Sequence, residues 1–501
     1  MQPTPRSGRI IWMILCVGLL LGAEAAAQQT APAPASGTAA GNASDSRYSE
    51  LEQQMQTVLA ALNDTRRQLR ESEDRIDQLQ GQLKLLQVQK SGESDAASLA
   101  TAVDELKDET EILQAEVNQH EQSKVESMSK FPVRVYGMVL FTTYANDGKV
   151  DNQIAPAAAF PRTNGIANNS FGASLSQTIL GVSAYGPTLW GAKSSGDVEM
   201  DFFNGVYGVA NTPTINARFR TGHFGLDWEN TSATVEVDAP LISPRSPTSY
   251  ATVGEPALSW SGNLWNWLPQ FRVEQRLPVS ATSHVGLEFG LIDPSYSLPG
   301  QPAGYTSLIS ARPGYESRVS YNWKRGDDVY GIGAGAYYSW SRYPAEQTID
   351  SWAFTADWNL PLQRWALLSG ELYHGSGIGD LGGGGFKDAI QQASNNNYYV
   401  GLGAEGGWSQ LKLRGGRQFE GNFAIGQDTA YGNHVRQGVV PPAGTMPYWS
   451  VARNRSIMEN FIYRPRTYLL FSLEHRNIET WQAVTPSNRA QVWTLSAGYL
   501  F

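Results

Sequence analysis

The chain has 501 residues, of which 41% are hydrophobic, 11% aromatic and only 17% charged, with 50 glycines and a formal net charge of −9. Mean hydropathy is −0.34, and past the extreme N-terminus no run reaches the roughly 18 apolar residues that a membrane-spanning helix requires, which excludes a polytopic helical membrane protein. Residues 1–130 hold 12 of the 38 Lys and Arg and 19 of the 47 Asp and Glu, so residues 131–501 are nearly neutral and offer no basic domain for nucleic acid.

The one long apolar run is Ile10–Gly22, preceded by Arg6 and Arg9 and followed by Ala25-Ala26-Ala27. A basic start, a short apolar stretch and an Ala-x-Ala end predict a bacterial secretory signal over residues 1–27. Cys16, the single cysteine, lies inside it and follows Leu15, where a lipoprotein site would place a small residue. The mature chain is then without cysteine, which excludes disulfide frameworks, Cys-ligated metals and thiol nucleophiles. Residues 28–46 are mostly Ala, Pro, Gly, Ser, Gln and Thr, a composition that reads as a flexible linker.

Residues 47–127 change character. Tyr48, Met55, Leu62, Leu69, Ile76 and Leu83 recur every seven residues, interleaved with Leu51, Val58, Thr65, Ser72, Leu79 and Leu86. That spacing predicts an α-helical coiled coil. Ser91-Gly92 breaks it near 91–98, and a second frame follows at Leu99, Val103, Leu106, Leu113 and Val117. The other faces are charged or Gln and leave no second apolar surface, so the seam predicts self-association. Mixed Leu, Ile and Met around Thr65 and Ser72 suits a trimer without excluding a dimer.

From residue 131 the period becomes two. Alternation predicts sixteen strands, at 133–144, 174–185, 190–203, 216–228, 231–239, 270–279, 283–292, 315–324, 329–340, 349–359, 364–374, 396–407, 410–420, 449–463, 466–479 and 489–501. Their connections alternate between short turns, such as Arg325–Asp328, Trp408-Ser409 and Arg464-Pro465, and mostly long loops, such as Ala145–Ala173 and Gly421–Tyr448. Aromatics flank the short turns: Tyr185, Trp190, Trp228, Trp323, Trp358, Trp365, Trp408, Tyr463 and Tyr468. A soluble sandwich could alternate as well, but an even strand number and an aromatic girdle predict an all-β transmembrane barrel of 16 antiparallel strands over 131–501. Trp493, Leu495, Ala497, Tyr499 and Phe501 form an apolar row opposite Thr494, Ser496 and Gly498, as a closing barrel strand requires.

Sixteen strands leave an aqueous lumen, and inward positions carry its chemistry. Alternation directs Glu199, Asp201, Arg218, Arg220, Glu236, Asp238, Arg272, Arg276, Glu288, Glu316, Arg318, Arg414 and Arg476 inward, with a slip near Thr221–Phe224 that a bulge would explain. Arg453 and Arg455 join Arg414 and Arg476 as a further basic cluster on the same expected path. Arg suits a transient anion site because its planar fork meets a carboxylate or phosphate in two hydrogen bonds. The expected arrangement sets Arg218, Arg220, Arg272, Arg276 and Arg318 on one wall.

The stretch from about 240 to 269 is long and compact in composition. It carries Trp260, Trp265 and Trp267 among Pro240, Pro244, Pro247 and Pro256, with Arg245 and Glu255 as its charges. A catalytic barrel is disfavoured: none of the six histidines stands in H-E-x-x-H spacing and no serine stands in a G-x-S-x-G elbow, so neither an enzyme nor a metal or other cofactor is expected.

The Tyr499 and terminal Phe501 pair resembles the C-terminal signature of bacterial outer-membrane proteins that their assembly machinery recognises. The run from Leu180-Gly181-Val182 through Gly186, Gly191 and Gly196 to Glu199-x-Asp201-Phe202 is similar to strands two and three of trimeric porins. With the coiled coil in front, the chain resembles outer-membrane porins bearing an N-terminal coiled coil, including dicarboxylate-uptake and phosphate-selective types. The resemblance implies a homotrimer in the outer membrane, a constricting loop after strand five set across from the arginine wall, and a periplasmic coiled coil that could reach the cell wall. It implies passive diffusion of small hydrophilic solutes with a preference for anions such as dicarboxylates. Phosphate selectivity, or a structural envelope tether with a closed barrel, are the alternatives.

Overall fold

The computed structural model describes residues 132–501 apart from 166–167, 204–216, 295–311, 344–346, 396–397, 440–447 and 484–485. The signal, linker and coiled-coil segments lie outside the described residues. The chain beyond them folds into sixteen barrel strands. They are β1 (Val133–Asp147), β2 (Asn169–Ser174 and Ile179–Leu189), β3 (Ala192–Asp201), β4 (Arg218–Asp227), β5 (Thr231–Asp238), β6 (Leu268–Ser280), β7 (Ser283–Ile292) and β8 (Gly314–Arg325). There follow β9 (Asp328–Tyr343), β10 (Gln347–Gln363), β11 (Ala366–Ser376), β12 (Gly403–Gly415), β13 (Phe419–Ala430), β14 (Val451–Arg466), β15 (Leu469–Gln482) and β16 (Asn488–Leu500).

Each strand pairs antiparallel with its neighbours, and β1 closes the ring on β16 from Met138 opposite Leu500 to Asp147 opposite Gln491. Closure removes the open edges that a sheet would otherwise expose. β2 has two parts because the chain leaves the ladder at 175–178 and rejoins it, both parts pairing with β1. In β4 the register shifts between Glu199 opposite Thr221 and Met200 opposite Phe219, which makes Arg220 the extra residue of a bulge.

Alternation sorts the side chains as a membrane barrel requires. Outward positions carry exposed Phe141, Val198, Phe219, Val235, Phe289, Val319, Phe354, Leu372, Phe461, Leu473, Leu495 and Tyr499, while the opposite rows are buried and mostly polar, among them Thr142, Glu316, Ser351, Glu371, Asn422, Ser472 and Ser496. This is the reverse of a soluble β protein, whose apolar rows face its core. Trp228, Trp323, Trp358 and Tyr463 stand on the outer wall near the short-turn ends, with Trp190, Trp365 and Tyr468 in the turns themselves.

Two of the aromatics read as girdle residues belong elsewhere. Trp408 is buried inside the barrel against Ala257, Leu258, Ala424 and Met458. β12 runs straight through the expected turn at Trp408-Ser409, and the turn lies at 416–418, where Gly416 takes a φ of +72°. The expected strands at 396–407 and 410–420 therefore shift to β12 and β13. Tyr185 pairs with Ser195 on the row that Gly181 and Glu199 share, and so stands on the lumen side.

The lumen is not empty. Parts of the loops 148–168, 239–267 and 377–402 are buried within it, and their apolar side chains form cores against inward strand positions: Leu241, Ile242, Leu264, Ile378 and Leu381 with Tyr337, Ala353, Tyr373 and Ala404, and Trp260, Trp265 and Phe386 with Val451.

Candidate pore constriction

The loop 239–267 departs after β5 and follows the inner wall strand by strand. The Leu241 amide donates to the Glu316 carboxylate on β8, and the Ile242 carbonyl accepts from the Thr355 hydroxyl on β10. Ser243 donates to Glu371 on β11 at 2.6 Å. The Thr248 amide reaches Gln410 on β12, and the Thr248 carbonyl accepts from Asn460 on β14. Ser249 donates to Glu474 on β15, and the Tyr250 carbonyl accepts from Ser496 on β16. Gln177, in the break of β2, accepts from the amides of Val253 and Gly254 and donates to the Ala251 carbonyl.

The circuit ends at β4, where Arg218 donates to the Gly254 carbonyl. Residues 241–254 therefore form a collar from β8 round to β16 and on to β4. The rest of the loop lies against the wall, with Asn454 of β14 donating to the Trp260 carbonyl. Glycine permits this close seating: any side chain at Gly426 of β13 would collide with the Ser261 carbonyl, and one at Gly262 with the Gly407 carbonyl.

The wall beside the collar carries a ladder of arginines, each set against carboxylates. Arg218 grips Asp201 at 2.6 and 3.0 Å, Arg220 meets Glu199 at 3.5 Å, and Arg272 meets Glu236 at 3.0 Å. Arg318 binds both oxygens of Asp357 at 2.9 Å and Glu288 at 2.5 Å. Arg245 of the collar reaches the same Asp357 at 3.3 Å, so the loop adds its own cation to the ladder. Trp267 stacks beneath Arg218 and Arg220, 5.4 and 4.8 Å from its ring.

In three of these pairs the cation stands in front and the acid behind. Side-chain exposure is 26% for Arg218 against 1% for Asp201, 24% for Arg272 against 9% for Glu236, and 26% for Arg245 against 0% for Asp357. Such pairs present guanidinium edges to water and hide the carboxylates that hold them.

The expected residues divide accordingly. Arg218, Arg220, Arg272 and Arg318 stand together, whereas Arg276 sits nearer the short turns with Asp227 at 2.8 Å and the Trp228 carbonyl. The collar does not simply face this wall: it touches it at both ends. Arg414 is exposed at the short-turn end of β12, and Asp238 ends β5 as an acceptor for the Ala239 amide. Arg476 is buried on β15, bonded to Glu474 and to Thr252 of the collar, so it seats the loop instead of facing open water.

Arg453 and Arg455 do not line the lumen. Between them Asn454 points inward to Ala157 and Trp260, which turns both arginines to the outer wall, where they pack on Trp481. Glu316 is buried under Leu241, and Trp260 and Trp265 are buried in the loop core. Tyr499 faces outward, and Phe501 exchanges two backbone hydrogen bonds with Gly137 of β1.

Asp357, Glu371, Gln177 and Asn454 seat the loops and ladder and were not read from the sequence. Asp357 in Ala353-Phe354-Thr355-Ala356-Asp357 carries an alternation signal that could have placed it inward. Glu255 sits between charges of both signs: burial, reinforced by Asp151, pushes its carboxyl up to about 7 against the pull of Arg218 and Arg476. Among the described residues no group of His, Cys, Asp and Glu is arranged to hold a metal.

No family model matches the sequence, and neither does any curated protein. Among solved structures, the outer membrane channel DcaP of Acinetobacter baumannii is similar at a TM-score of 0.57 and 15% identity, covering 74% of this chain and 99% of that one. An anion-selective porin from Comamonas acidovorans gives 0.45 at 10% identity, covering 74% and 100%, and OprB of Pseudomonas putida 0.42 at 10%, covering 76% and 96%. The likeness to the first shows a shared fold.

Proposed function

We propose that this porin-fold barrel is an outer-membrane channel for passive diffusion of small hydrophilic solutes, with a preference for small anions such as dicarboxylates. The observation that carries the reading is the exposure asymmetry at Arg218, Arg245 and Arg272, whose guanidiniums face water while Asp201, Asp357 and Glu236 lie behind them. The retained acids keep each site weak, and weak, repeated binding is what conduction needs, because a tight site blocks its own pore. Arg218, Arg220, Arg245 and Arg272 form the path, Arg318 is buried behind them between Asp357 and Glu288, and the collar narrows the path. In this reading the long loops face outward, the short turns face the periplasm, and copies associate through the heptads of residues 47–127.

The test is planar-bilayer conductance with the reversal potential measured across a salt gradient. The parent should pass current and favour anions at low salt. Replacing Arg220 and Arg272 with Gln should move the reversal potential toward the cation side. The shift should fade as salt rises, since screening falls to roughly 3 Å at 1 M. Identical reversal potentials at low salt would mean that the anion path does not run past these residues, and absence of current in the parent would mean that the barrel is sealed.

A further inference from the structure

The outer wall carries charge where a membrane barrel ordinarily has none to spare. On β14, β15 and β16, Arg453, Arg455 and Arg489 gather about Trp481 and Glu479. Arg455 donates to one oxygen of Glu479 at 2.7 Å and Arg489 to the other at 2.8 Å. Arg453 and Arg455 lie over the Trp481 ring at 5.3 and 5.0 Å. Two of the three cations share one carboxylate and the third lies over the indole, leaving a local excess of two positive charges. Arg489 is 68% exposed and Arg455 37% exposed, so the remaining N–H donors point away from the protein.

Their height is informative. Arg455 lies eleven residues from the Arg466 end of β14, and Arg489 eleven from the Leu500 end of β16. At about 3.3 Å per residue and a tilt near 40°, both stand roughly 28 Å above the short turns, just beyond an apolar band of about 25 Å. Trp340, over which Arg312 lies at 5.1 Å, holds the corresponding level on β9 and marks the same boundary. A guanidinium fixed by a carboxylate on one side and an indole on the other keeps its free edge oriented, which suits bidentate contact with a phosphate.

We propose that the β14–β16 face binds the phosphate groups of an outer-leaflet glycolipid through Arg453, Arg455 and Arg489. The inference rests on the channel reading for orientation alone, with the long loops outward. Glu479 sets the spacing of two of the arginines, Trp481 meets the lipid at the boundary between headgroup and acyl chains, and the phosphate supplies the negative charge that the patch lacks.

The experiment uses the full chain in detergent, with bound lipid counted by native mass spectrometry. The probes are a diphosphorylated lipid A, the same lipid with its phosphates removed, and inorganic phosphate as competitor. The parent should hold the phosphorylated lipid on the order of tenfold to a hundredfold more tightly than the dephosphorylated one, and millimolar inorganic phosphate should not displace it. The R453Q/R455Q/R489Q variant should lose that difference, and R453K/R455K/R489K should keep part of it. Equal retention of both lipids by the parent, or full retention by the Gln variant, overturns the proposal. So does displacement by inorganic phosphate, which would make the site one for free anions. Disulfide-linked copies formed by R489C in membranes would overturn it as well, because a second chain would then cover the face. Conductance separates the two readings: glycolipid binding without current defeats the channel and leaves this site standing, whereas current without phosphate-dependent binding does the opposite.

Discussion

Arg218 holds the carbonyl of Gly254, so an arginine of the β4 wall is fastened to the far end of a loop that left the barrel one strand later. The same guanidinium binds buried Asp201 through two nitrogens. Arg218→Gln would strand that carboxylate and free the end of the collar. Loss of one member of a fully buried pair costs about 3–5 kcal/mol, and the cost here is smaller because Arg218 stands partly in water. The variant should unfold at lower urea or temperature than the parent and show noisier, larger single-channel steps; unchanged stability would mean that Asp201 finds another partner.

Gly426→Leu should act through shape alone. The added side chain meets the Ser261 carbonyl and Leu258, forcing the loop away from β13. Overpacking of this kind costs about 1–3 kcal/mol. Conductance should change in the same variant while ion preference does not, because no charge has moved.

Glu255 predicts a pH-dependent pore. Its carboxyl, held up near 7 chiefly by burial, faces Asp151, Arg218, Arg476 and the Tyr448 hydroxyl. Raising the pH from 5.5 to 8.5 should ionise it beside Arg218 and weaken anion preference, and Glu255→Gln should flatten that response. The stability effect has the same origin. A carboxyl whose folded value lies above its unfolded one binds more protons when folded, so its contribution falls as pH rises from about 4.5 to about 7. A parent whose selectivity and unfolding midpoint are both constant across that window would remove Glu255 from this role.

Lys387 is fully buried in the loop 377–402, donating to the carbonyls of Val451 at 2.9 Å, Tyr448 at 3.3 Å and Gly385. Lys387→Met keeps most of its volume and leaves three acceptors unserved, each costing about 1–3 kcal/mol. The variant should show earlier protease cleavage within 377–402 at unchanged barrel content by circular dichroism. Resistance equal to the parent's would show that water replaces the ammonium.

Orientation can be read with single cysteines. Thr163→Cys lies in a long loop and Asp327→Cys in a short turn. A membrane-impermeant thiol reagent added to intact cells should label the first and spare the second. Labelling of Asp327→Cys would invert the barrel.

The number of strands and most of their positions could be read from alternation because lipid outside and water inside impose opposite chemistry on successive residues. Alternation failed where both faces were polar or where glycines left too few side chains to mark a turn. Val451-Ala452-Arg453-Asn454-Arg455-Ser456 lies above the apolar band, so no apolar row showed that Arg453 and Arg455 point outward. The turn expected at Trp408-Ser409 lies at 416–418 instead, and β12 slid accordingly. The arginines of β4, β6 and β8 and the acids Glu199, Asp201, Glu236 and Glu288 were recognisable one by one, but Asp357 and the pairing were not, since register between strands decides that Arg318 meets Asp357, 39 residues away. The collar's seats on β10–β16 were hidden for the same reason.

Those seats bear on the order in which the molecule comes together. Tyr250 is held by Ser496, 246 residues later in the chain, and Ala159 by Thr480, 321 residues later. The ribosome therefore makes the loop long before it makes the strands that receive it. Until β14, β15 and β16 are in place, Thr248, Ser249 and Tyr250 have no partners on that side, and the strands themselves lack their inner packing. Zipping the β1–β16 seam and seating the loop are thereby coupled through contacts distant in sequence, whose chain-closure entropy must be overcome before they form.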